Sequence, residues 1–141
     1  IGTKDSWDDR IAAIREGGIA VLAEAILERW FSASFRAERP VEVAGWRHML
    51  TRTPLEGYAG TCAAIRDADL TEGARSLAMP TLCVCGSEDG ATTPELVRSL
   101  AALIPGARYA PVEGAEHLPC IEAPEALAGL MNDFFKEADL V

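Results

Sequence analysis

Two loops of this sequence carry side chains that together could move a proton. Residues 84–95 read VCGSEDGATTPE, an apolar run that ends at Gly86 and is followed by Glu88 and Asp89. Residues 113–119 read EGAEHLP and hold His117, one of only two histidines in the chain. A carboxylate that accepts a hydrogen bond from one imidazole nitrogen fixes the tautomer and leaves the other nitrogen as a base. Asp89 is the better partner of the two acids, because the glycine after it frees the backbone to turn the side chain inward. Glu88 is expected to point to water. Composition alone favours the plainer reading, in which turn acids and a loop histidine are simply solvated.

For the pair to meet, the segments leading into the two loops must lie side by side and run the same way. Residues 80–86, PTLCVCG, form a short continuous apolar run of the kind that a covered parallel strand shows. Thr93-Pro94-Glu95 then opens a helix carrying Leu96, Leu100 and Leu103, and Pro105-Gly106 ends it. Residues 107–112 read as a second strand, and a final helix runs from about Glu122 through Phe135. Strand, helix, strand, helix predicts a right-handed βαβ unit with parallel strands. Ligands of such sheets bind beyond the carboxyl ends of the strands, where both loops fall.

The residues before this unit read as helices with no strand signal between 5 and 67. Trp7, Ile11 and Ile14 share one helical face, with Asp5 or Ser6 as the cap and Gly17-Gly18 as the end. Ile19, Leu22, Ala23, Ile26, Leu27 and Trp30 share the next, and a third helix surrounds Trp46, Met49 and Leu50. Thr53-Pro54-Leu55-Glu56 matches a capping box with proline at the first helical position, followed by the stripe Leu55, Tyr58, Cys62 and Ile65. The expected division is a helical region over 1–70 and a sheet-bearing region over 71–141. Two parallel strands cannot cover both of their faces alone, so they are expected to belong to a larger sheet.

At 141 residues, with 49% apolar and 25% charged residues, the chain has the size and composition of one globular domain. Its net charge of −9 argues against nucleic acid or an anionic membrane surface as a partner. No apolar run is long enough to span a bilayer, and the N-terminus lacks the basic-then-apolar layout of a signal peptide. A cytoplasmic location with reduced cysteines is expected. The chain begins with Ile1, which suggests a processed or truncated piece.

Residues 67–95, DADLTEGARSLAMPTLCVCGSEDGATTPE, followed by IPGARYAPVEGAEHLPCIEAPE, resemble the C-terminal part of an α/β-hydrolase. More narrowly, IGTKDSW, ERWF at 28–31 and GYAGTCAAIRDADL are similar to the 3-oxoadipate enol-lactonases, which open a lactone in bacterial aromatic catabolism, the β-ketoadipate pathway. The resemblance implies that the helical region is a cap, or lid, over the α/β-hydrolase core. It also implies that Asp89 and His117 are the acid and base of a Ser-Asp-His triad. No G-x-S-x-G occurs in the sequence. The nucleophile and oxyanion hole are therefore expected on a missing N-terminal half of the core, and this chain alone is expected to be inactive.

The family's substrate carries carboxylates, so an arginine facing the pocket is expected, with Arg29, Arg47, Arg52 and Arg66 as candidates and Trp30 and Trp46 as possible walls. No cofactor is implied. An esterase, a cofactor-free haloperoxidase or a dehalogenase fits the same loops, and a non-catalytic partner-binding role is the reading from another class. Cys83-x-Cys85 with His117-x-x-Cys120 offers four soft metal ligands, but Cys83 and Cys85 lie in the buried strand, where cysteine acts as a small hydrophobe. No metal is expected, and Cys120 is a candidate pocket-edge thiol.

Overall fold

A computed structural model describes residues 2–140. Their elements run α1 (Lys4–Gly17), a 3-10 turn (Ile19–Leu22), α2 (Ala23–Trp30), α3 (Ala33–Glu38), α4 (Pro40–Thr51), α5 (Leu55–Asp67) and α6 (Thr71–Arg75). They continue through β1 (Leu82–Gly86), α7 (Pro94–Leu103), β2 (Arg108–Val112), α8 (Pro119–Glu122) and α9 (Pro124–Glu137). Two compact units result. One comprises the residues up to Glu28 together with Ala33–Asp69, and the other comprises Arg29–Ser32 with the residues from Leu70 onward.

The first unit is helical throughout. Its α1 packs along α5, and Ile11, Ile14, Ile19, Leu27, Val43, Leu50, Ala59 and Cys62 are buried. Polar links reinforce the α1–α5 contact: Arg10 Nη1 donates to Tyr58 Oη at 3.2 Å, and the Arg66 guanidinium pairs with Asp8 and with Asp67. Helix starts differ from expectation in an instructive way. Thr3, not Asp5 or Ser6, caps α1, and Ser6 closes the capping box as its third residue. The residues expected to form one helix from Ile19 begin as a 3-10 turn that becomes α-helical only at Ala23. Before α5 the cap is Pro54 with no side-chain bond, and the Thr53 hydroxyl instead donates to the carbonyl of Met49 at 3.2 Å. Helix α4 ends so close upstream that its orphan carbonyls claim the hydroxyl first.

In the second unit β1 and β2 pair in parallel, with Cys83 opposite Tyr109 and Gly86 opposite Val112. The two strands form a two-stranded sheet. Helix α7 lies against both strands, α9 against β2 and α6 against α7. Cys83, Ala101 and Ile104 form a buried cluster with Val97, Leu77 and Tyr109 around it. Cys83 and Cys85 thus fill core space, and the Cys85 sulfur rests 3.5 Å from the Tyr109 hydroxyl. The face of α7 that packs is the one bearing Val97 and Ala101, whereas Leu96 and Leu100 are exposed. The α7 start does follow its sequence signal: Thr93 is the N-cap, accepting from the N–H of Leu96 at 3.3 Å, with Pro94 in the first turn.

These two threonines make the cap assignment testable. Thr93→Ala should lower unfolding free energy by about 1 kcal/mol, the usual worth of an N-cap. Thr53→Ala should stay within about 0.5 kcal/mol. Urea unfolding of both variants would check the difference.

Candidate active site

The site stands at the carboxyl ends of β1 and β2, and it starts from one close approach. A Cβ on Gly86 would run into the carbonyl oxygens of Ala115 and Glu116. Only glycine lets the end of β1 lie that near the loop after β2. The two loops are then stitched together. Ser87 N–H donates to the carbonyl of Val112 at 2.9 Å and Glu88 N–H to that of Ala115 at 3.0 Å. Gly114, at φ 71°, donates its N–H to Ser87 Oγ at 2.9 Å. Gly90 N–H donates to Glu116 Oε2 at 3.2 Å.

Asp89 is buried beneath this stitching, only 3% exposed, whereas Glu88 is exposed. What turns Asp89 inward is not the glycine after it. Gly90 is absent from the positive-φ glycines and has open space where a Cβ would go. The side chain is held instead by the turn it creates. Oδ1 accepts the N–H groups of Ala91 at 2.7 Å and Thr92 at 2.8 Å, as aspartate does when it caps its own turn. Oδ2 accepts the Thr92 hydroxyl at 2.7 Å and lies 2.9 Å from His117 Nδ1. Burial works against the Asp89 charge, but the hydrogen bonds from His117, the Thr92 hydroxyl and the two backbone groups outweigh it. They hold the carboxyl below the ordinary carboxylate range.

An ionised carboxylate can only accept, so Nδ1 of His117 must carry the proton that points at it. In the neutral ring Nε2 then carries the lone pair, on a side chain that retains 31% of its exposure. This is the arrangement of an oriented base. Thr92 Oγ1 also lies 3.3 Å from Nδ1, so the hydroxyl braces both partners. Sequence reasoning missed Thr92, although Asp89-Gly90-Ala91-Thr92 has the spacing at which an aspartate captures the N–H groups two and three residues on. Nearby, burial pushes the Glu116 carboxyl up. The Gly90 N–H opposes that rise, and the charges of Asp89, Glu122 and Glu88 add to it.

Of the other expected site residues, Trp46, Arg47, Arg52 and Arg66 belong to the first unit, and Arg29 belongs to the second together with Trp30. The carbonyl of Trp30 accepts the N–H of Leu118 at 3.2 Å, next to His117, while its ring meets Phe31 edge-on at 6.4 Å. Arg47 is paired with Glu24 and Arg66 with Asp8 and Asp67, so both guanidiniums are already matched to carboxylates. Arg52 and Arg29 are exposed and take part in no ion pair among the described residues. Trp46 is half-buried on α4. Cys120 is an exposed free thiol on α8. Among the described residues no group of three or more His, Cys, Asp or Glu side chains is placed to hold a metal ion. Nor is any helix among them long and apolar enough to cross a membrane.

No protein-family model matches the chain. A 3-oxoadipate enol-lactonase of Acinetobacter baylyi is 32% identical over 96% of the chain and 51% of its own length. The solved enol-lactonase from Burkholderia xenovorans superposes with a TM-score of 0.90 at 39% identity, over 96% of this chain and 52% of that one. A thermophilic esterase from Thermogutta terrifontis does so at 0.86 and 25% identity, over 96% of this chain and 50% of that one. In fold the chain matches the α/β-hydrolases over about half of their length, with a helical region and two parallel strands. Its homologues at about 30% identity are 3-oxoadipate enol-lactonases, and it spans about half the length of those relatives.

The two glycines of the acid turn should behave oppositely. Gly86→Ala is expected to cost about 1–3 kcal/mol through forced displacement of the His117 loop. Gly90→Ala should remain within about 0.5 kcal/mol. Chemical denaturation of each variant measures both. The lowered Asp89 pKa also fixes a sign: its contribution to stability is present above the ordinary carboxylate range and lost as pH falls through its lower folded value. The stability difference between the native chain and Asp89→Asn should therefore shrink as pH falls from the ordinary carboxylate range through the lower folded value. A gap that stays constant down to the acid limit would contradict the assignment.

Proposed function

We propose that this chain is the acid–histidine portion of a serine-dependent carboxylic-ester hydrolase, and specifically of a 3-oxoadipate enol-lactonase acting in the cytoplasm in aromatic catabolism. The observation that carries the reading is the 2.9 Å contact between a buried, ionised Asp89 and Nδ1 of a partly exposed His117. In this reading a serine outside these 141 residues attacks the lactone carbonyl, and His117 Nε2 takes its proton. Asp89 stabilises the imidazolium that forms. Collapse of the tetrahedral adduct breaks the ring C–O bond, and the enol oxygen leaves with the proton held by His117. Water, deprotonated by the same nitrogen, then releases the acid and restores the serine. Donors for the oxyanion come from the same outside segment, as does the rest of the sheet.

The helical region over residues 1–70 is the cap in this scheme, and recognition of the substrate's carboxylates falls to it. Arg29 and Arg52 are favoured over Arg47 and Arg66, since a guanidinium already matched to Glu24 or to Asp8 and Asp67 would have to exchange partners first. Trp30 and Trp46 are the aromatic walls. The likeness to a thermophilic esterase supports a second reading in which the same base serves a simple ester.

The test is a comparison of enol-lactone hydrolysis by the 141-residue chain and by a protein that joins it to a segment bearing G-x-S-x-G. The chain alone should give no turnover, and the joined protein should. In the latter, His117→Ala should lower kcat about a thousandfold or more. Arg29→Ala or Arg52→Ala should raise KM about tenfold. Turnover by the chain alone, or indifference to His117→Ala, would sink the triad. Indifference to every arginine substitution would remove the carboxylate clamp.

A further inference from the structure

We infer that Glu122 is a positioning residue that fixes the His117 loop by bridging it to the segment Trp30–Ser32, an inference that rests on the reading of His117 as the base. Glu122 closes the short helix α8, and its own N–H donates to the carbonyl of Leu118 at 3.1 Å. From there the carboxylate folds back over the loop. Oε2 accepts the N–H of Glu116 at 2.6 Å, and Oε1 accepts the N–H of Ser32 at 2.7 Å. Ser32 is buried, and it sits 90 positions away in the sequence. On the other side of His117, Leu118 N–H donates to the carbonyl of Trp30 at 3.2 Å. The residues before and after His117 are thus both tied to the same three-residue segment, one through Glu122 and one directly.

A carboxylate has two acceptor oxygens and can take two backbone N–H groups that lie apart, and charge strengthens both bonds. Without it, the part-buried N–H groups of Ser32 and Glu116 lose these acceptors together. The imidazole would then be free to swing with its loop, and the Asp89 contact would be made only part of the time. Glu122 touches no reacting atom in this arrangement. It acts through the backbone on either side of the base.

The experiment uses the 141-residue chain, labelled with nitrogen-15. Amide exchange would be followed at Ser32 and Glu116, with Val84 and Ala110 in the sheet as references, together with the downfield Nδ1–H resonance of His117. Glu122→Ala should speed exchange at Ser32 and Glu116 about tenfold or more and broaden or abolish the Nδ1–H signal, while the strand amides keep their protection. Glu122→Gln offers one acceptor in place of two, so one of the two amides should stay protected; it decides the matter if the alanine variant does not fold. Unchanged exchange at both amides, an unchanged Nδ1–H resonance, or a uniform loss that includes the strands would overturn the role. In the joined protein described above, Glu122→Ala should lower kcat about tenfold with KM within about twofold. Should that protein show no turnover at all, the hydrolase reading fails, whereas the exchange data still decide the role of Glu122.

Discussion

A carboxylate buried at the end of a two-stranded sheet must find its hydrogen bonds in the protein, because water cannot reach it. The way Asp89 does so dictates what stands around it. Two of its contacts come from the main chain of its own turn, which obliges residues 89–92 to fold tightly. One comes from Thr92, which makes that residue part of the site although it has no evident chemistry. The last comes from His117, on the neighbouring loop, which can be reached only because Gly86 lets the two strand ends close on one another. A single charge thus sets the turn, the choice of a small residue at the strand end and the protonation of the imidazole.

The sheet that carries this arrangement is small, and side-chain size matters more than usual in it. Cysteine at 83 and alanine at 101 let α7 settle close to the strands, where larger residues would hold it off. The same economy explains why sulfur in this chain is a packing element in the strand and an exposed thiol only at Cys120. A pair of parallel strands with one partner each is an uncommon end state for such a sheet, and it matches a chain that spans half the length of its relatives.

How far the sequence could be read varied with the distance over which each feature is decided. The βαβ unit and the α7 cap were legible because period, proline and threonine act within a few residues. The Asp89–His117 contact was legible because each residue follows an apolar run that ends where loops converge, although it is not the freedom of Gly90 that turns Asp89 inward. Thr53 misled because a capping motif does not reveal that the preceding helix ends close enough to take the hydroxyl. The exposed side of α7 was invisible for a related cause: leucine spacing shows that a stripe exists, not which neighbour is there to cover it. Glu122 lay beyond any local reading, since its partners are 6 and 90 residues away.

That long separation has a kinetic side. Residues 29–32 leave the first unit to join the second, and the chain then returns to build α3, α4 and α5 before Leu70 begins the strand-bearing part. Closing a loop of 90 residues costs about 4 kcal/mol in chain entropy, against about 3 kcal/mol for the 28 that separate Asp89 from His117. The acid and the histidine can therefore meet early, while the segment that steadies them must wait for the whole helical insertion to compact. A folding transition state that contains β1, α7 and β2 need not yet contain residues 29–32.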